Sequence, residues 1–117
     1  MKRRTKQFAL RVIRLSESLP CGRTAEVIGR QLLRSGTSVA ANYRAACRAK
    51  SRADFISKMG TVEEEADESL YWMELLAEAG IVKAELLGSL KQEADEILAI
   101  TVASINTARK RTRSDKP

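Results

Sequence analysis

At 117 residues and a formal net charge of +6, the chain has room for one hydrophobic core and not comfortably for two. It holds no histidine, two prolines and 4% aromatic residues, a composition that favours helices and excludes chemistry built on an imidazole base or on histidine-bearing metal sites. No run of about 18 apolar residues exists, and Met1–Lys6 leads into an amphipathic segment rather than an apolar signal core, so a soluble, cytoplasmic protein with no membrane partner is expected.

Phe8, Val12, Leu15 and Leu19 repeat at the spacing of one helical face until Pro20-Cys21-Gly22 interrupts them, which ends a first helix. The second is expected from about Ala25 to Arg48, with Thr24 as its N-cap and Ile28, Leu32, Val39, Tyr43 and Ala46 facing inward. Gly36 falls inside it. A mid-helix glycine costs about 1 kcal/mol against alanine, so its presence points to a close helix contact. Ser51-Arg52-Ala53-Asp54 opens a third helix as an analogue of the capping box, and its inward line is Phe55, Met59, Val62, Ala66, Leu70, Met73 and Ala77. Gly80 closes it as a left-handed terminator. A fourth helix, from about Lys83 to Arg109, turns Leu87, Leu90, Ala94, Ile97, Thr101, Ile105 and Ala108 inward. Four such helices on short loops predict an all-α fold, an antiparallel up-down four-helix bundle spanning 1–109, followed by a basic disordered tail at 110–117.

Charge is divided along the chain. Residues 1–58 carry a net +11, residues 59–106 a net −9, and residues 107–117 a net +4. The two halves can neutralise each other within a bundle or between copies, or leave a basic surface for a polyanion.

The acidic run Glu63-Glu64-Glu65-Ala66-Asp67-Glu68 invites comparison with carboxylate-bridged metal bundles, but those need inward Glu-x-x-His pairs. With Ala66 on the core line, Glu64 and Glu68 are expected to point outward, and no metal site or cofactor is expected. Ser, Thr and Cys lack a histidine base and a Gly-x-Ser-x-Gly turn, while Gly36-Thr37-Ser38 lacks the glycine-rich loop of a phosphate cradle. An enzyme is therefore not expected. Cys21 and Cys47 read as two reduced thiols.

The second helix presents three faces. Arg23, Arg30, Arg34, Arg44 and Arg48 fall within roughly 40° of one line at about 100° per residue. Guanidinium forks match phosphates, so these five are the candidate nucleic-acid contacts, reinforced by Lys2, Arg3, Arg4, Lys6, Arg11, Arg14 and the tail. No stacking aromatics accompany them, so sequence reading is not expected. Between the charged and apolar faces lies a compact polar stripe, Gln31, Ser35, Ser38 and Asn42, suited to lying against another helix. Tyr71, Trp72 and Leu75 sit away from the third helix's core line. With Glu64 and Glu68 they form a candidate oligomer interface, in which acidic groups of one subunit meet the arginines of the next in a ring.

Ile28 to Ser35, Ser38 to Tyr43, Ala49 to Phe55 and the Glu-rich stretch from Glu63 to Leu76 together resemble the four-helix-bundle proteins encoded in 23S ribosomal RNA intervening sequences. The central pattern is Gln31-Leu32-x-Arg34-Ser35-x-x-Ser38-x-x-x-Asn42, and the resemblance runs from Phe8 to about Arg109. It implies a small bacterial bundle without enzymatic activity, assembled as a barrel-like homopentamer. Through a relation to accessory variability proteins of diversity-generating retroelements, it also implies binding to nucleic acid and to a reverse transcriptase. The alternative function is a protein–protein adaptor ring whose arginines make only intersubunit salt bridges.

Overall fold

The structure, a computed structural model, describes residues 1–114, with side chains through residue 111. Four helices account for nearly all of it: α1 (Lys2–Ser18), α2 (Arg23–Ala46), α3 (Arg52–Glu78) and α4 (Ala84–Ser114). Each packs antiparallel on the next, and α1 returns against α4 to close an elongated bundle of 58 × 21 × 21 Å. One continuous core runs through it, from Phe8 and Val12 of α1, through Leu32 and Val39 of α2, to Met59, Val62 and Met73 of α3 and Leu87, Ala94 and Ile97 of α4. On α4 the expected inward line is the line observed, down to Thr101, which is fully buried and donates to the carbonyl of Ile97. On α3 the expectation is corrected in part: Ser69 and Leu76 are fully buried as well, whereas Phe55 and Ala77 are only partly buried, because α3 is flanked by helices on two sides.

Local signals set most of the ends. Ser51 caps α3 by accepting from the backbone N–H of Asp54, and Gly80 ends it at φ 74°, with the N–H of Ile81 donating to Leu76. At α2 the expectation is corrected. The N-cap is Gly22 rather than Thr24, because φ 144° at Gly22 lets the chain reverse directly after Pro20, and the helix begins two residues early, ending at Ala46 rather than Arg48. At the other terminus α4 is helical to Ser114, so the boundary expected at Arg109 falls inside it, and residues 115–117 of the expected tail lie outside the described residues.

Gly36 marks a close approach. A Cβ placed there would lie 2.7 and 2.8 Å from the two Cγ atoms of Val12 and 3.0 Å from its Cβ. Glycine is what allows α1 and α2 to touch at this level. Gly60 and Gly88 differ: no neighbour lies within 4 Å of a Cβ built on either. Gly88→Ala should therefore raise stability by about 0.5–1 kcal/mol through helix propensity alone, read as a higher urea midpoint at unchanged m.

Ion pairs clasp the helices at two levels. Arg4 of α1 donates to Glu93 at 2.7 and 2.9 Å and to Glu96 at 2.9 Å on α4, and Arg34 of α2 bridges Glu65 and Glu68 of α3. Hydrogen bonds from Arg4 hold the Glu93 carboxyl below its usual 4.5. Asp54 is likewise held below 3.8, first by Lys58 and then by the N–H of Lys50. Both acids are stronger in the folded chain than in the unfolded one. Their stabilisation is therefore present above the unfolded-state values and is lost as pH falls through the folded ones. Urea midpoints should drop between about pH 5 and pH 2, and Arg4→Gln should make that decline shallower.

Candidate nucleic-acid interface

All five arginines of the α2 line are exposed, but their circumstances differ. Arg34 reaches Glu65 at 3.0 Å and also Glu68, whose second oxygen accepts from Trp72 Nε1 at 3.4 Å. The expectation that Glu68 points outward is thereby corrected: α3 packs with α2 on one flank, and Glu68 lies along that flank. Arg30 pairs at 2.8 Å with Glu26 one turn earlier, with both side chains about 70% exposed (72% and 68%), and such surface pairs contribute little. Arg23, Arg44 and Arg48 carry no ion pair among the described residues.

Arg44 stands between two open clefts. The first, about 660 Å³, is walled by Lys2, Arg3 and Lys6 of α1 and Arg44 of α2, with Gln7, Ala40 and Ala41 completing it. The second, about 360 Å³, continues across α2 between Arg48 and Lys58, over Ala41 and Ala45. The construction follows from the antiparallel packing, which sets the N-terminus of α1 beside the C-terminal turns of α2. Alanines there leave a trough where longer side chains would fill the space between the helices. Lys58 is held at 2.7 Å by both oxygens of Asp54, so Lys2, Arg3, Lys6, Arg44 and Arg48 supply the cationic charge that no carboxylate pairs with among the described residues. Sequence periodicity on α2 alone found Arg44 and Arg48. It did not find the trough, whose only trace in the sequence is the alanine spacing at 40, 41 and 45.

The polar stripe divides too. Ser35 is fully buried and meets Ser69 of α3 with 3.0 Å between hydroxyl oxygens, so at this position the stripe lies against another helix. Asn42 instead donates to the carbonyl of Ser38 at 2.8 Å, and Gln31 accepts a long 3.5 Å contact from Arg34 Nε. On α3, Tyr71 is 52% exposed, whereas Trp72 and Leu75 are half-buried against the chain's own core. The two rings meet edge-on, with centroids 5.0 Å apart.

A model of the 23S rRNA-intervening sequence protein family matches residues 1–103. The chain belongs to that family. It is also similar to a crystal structure from Bacteroides thetaiotaomicron, described as a protein with unknown function from the S23 ribosomal protein family. That likeness has 38% identity and a TM-score of 0.84, and covers 89% of this chain and 96% of the other. No curated protein matches. The family match takes in all of α1, α2 and α3, and hence every residue of both basic clefts, and stops within α4.

Among the described residues no three His, Cys, Asp or Glu side chains converge as metal ligands, and no helix is long and apolar enough to cross a membrane. Cys21 and Cys47 are exposed free thiols.

Proposed function

We propose that this family member is a non-catalytic, homo-oligomeric bundle, a cyclic pentamer, that holds nucleic-acid backbone in the clefts around Arg44. It would serve as an accessory to an RNA- or reverse-transcriptase-containing complex. The observation that carries the reading is the grouping of Lys2, Arg3, Lys6, Arg44 and Arg48, exposed and without carboxylate partners among the described residues, along an alanine-floored trough. Phosphates are the ligand such a trough suits, because guanidinium and ammonium donors flank it and no aromatic ring lines it for base stacking. Binding is then sequence-tolerant. Repetition of the trough around a ring raises its strength by effective concentration, without any new contact.

The adaptor alternative uses the arginines only between subunits. Arg34 serves neither reading, since its carboxylates are on its own chain. Fluorescence anisotropy of labelled homopolymeric RNA and DNA, titrated with the protein at graded salt, separates the two. Affinity that falls linearly in log–log with salt and is indifferent to base identity supports the proposal. No retention even at about 50 mM salt supports the adaptor.

A further inference from the structure

α1 is 17 residues long and α4 is 31, so α1 leaves the C-terminal half of α4 uncovered. The stripe of α4 that faces α1 is marked by Ser89, bonded to Arg11, and by Glu93 and Glu96, bonded to Arg4. At the same alternating spacing of four and three, it continues as Ile100, Ala103 and Thr107 beyond the start of α1. There these residues and Phe55 of α3 line an open, mainly apolar groove of about 750 Å³, with Arg111 at its rim. A helix face of bundle-core spacing thus lacks, among the described residues, a helix of its own chain to pack on it.

The molecule carries a matching surface elsewhere. Glu64, Asp67, Tyr71, Glu74 and Glu78 form one exposed stripe of α3, spaced three, four, three and four, and its four carboxylates make no ion pair among the described residues. Tyr71 is a large, half-exposed ring at the centre of that acidic stripe.

We infer that the α3/α4 groove of one copy receives the Tyr71 stripe of a second copy, the ring entering between Phe55 and Ile100 and the flanking carboxylates facing Arg111. This rests on the assembly proposed above and names the faces that build it. Tyrosine suits the position because its body is apolar and its hydroxyl stays at the wet edge. The two faces are different surfaces, so the contact is head-to-tail and propagates into a closed ring or a filament. It involves α3 and α4 and leaves the α1/α2 trough open.

Native mass spectrometry of three chains tests it: the parent, Tyr71→Ser, which removes the knob, and Ala103→Trp, which fills the groove from an exposed position. The parent should assemble, and each variant alone should fall to the 13.0 kDa of one chain. Mixed, the two variants should form a dimer of twice that mass and nothing larger, because each retains the face the other lacks. An unfolded variant cannot complement in this way. If both variants assemble like the parent, or if the mixture stays monomeric, the assigned faces are wrong although assembly stands. A parent that is monomeric at all concentrations overturns the assembly itself.

Discussion

Replacing Arg44 and Arg48 together with glutamine is expected to lower nucleic-acid affinity roughly tenfold or more at low salt and to flatten its salt dependence. A phosphate contact contributes a log–log slope of about −0.9 on duplex and about −0.7 on single strands, so losing two contacts should reduce the slope by about 1.4 to 1.8. Both side chains are exposed and make no ion pair among the described residues, and glutamine keeps part of their length, so the unfolding free energy from urea melts should stay within about 0.5 kcal/mol of the parent. Arg34→Gln should do the reverse. It strips Glu65 and Glu68 of their cation, and Glu65 retains only 15% side-chain exposure, so stability falls while the salt slope stays near the parental value. Parental binding by the Arg44/Arg48 double variant would remove the trough from consideration.

The largest loss of stability should come from Gly36→Leu. Any Cβ at this position meets three Val12 atoms at 2.7 to 3.0 Å, one of them Val12 Cβ, which cannot move without the backbone of α1. Overpacking of this kind costs about 1–3 kcal/mol and occasionally more, against a gain of about 1 kcal/mol from leaving glycine. Alanine should therefore be destabilising by up to about 2 kcal/mol, and leucine, with a whole side chain to place between α1 and α2, by more than about 3 kcal/mol. For a domain whose total is about 5–15 kcal/mol, the leucine change removes a large share. A repair is available. Val12→Ala clears the colliding methyls, so in a double-mutant cycle it should cost less on the Gly36→Ala background than on the parent, by about 1 kcal/mol. Additive losses would show that α1 and α2 do not touch here.

Features that repeat along one helix were legible in the sequence. The inward line of α4, the stretch of the α3 line from Met59 to Met73, the Ser51 cap, the Gly80 terminator and the contact implied by Gly36 all follow from spacing and local chemistry within a single element. What depends on two helices at once was not legible. Arg34 finds Glu65 and Glu68 through the register of α2 against α3, which a wheel drawn for either helix does not contain. The same limit misplaces Glu68 and leaves Trp72 outside. α3 is flanked by α2 and α4, so its buried arc is wider than one core line, and side chains drawn as outward lie along a neighbour. The trough belongs to this class as well, since its walls come from residues about 40 positions apart that meet only when α1 lies antiparallel to α2.

Lysine footprinting tests the central claim, that the trough holds the nucleic-acid backbone, most directly. Acetylation of the full chain, with and without a saturating oligonucleotide, is mapped by mass spectrometry at each lysine. Lys2 and Lys6, on the wall of the larger cleft, should be protected, whereas Lys83, exposed just before α4 and in neither cleft, should react equally in both samples. Equal labelling of Lys2 and Lys6 with and without the oligonucleotide, or protection confined to Lys83, would contradict the account.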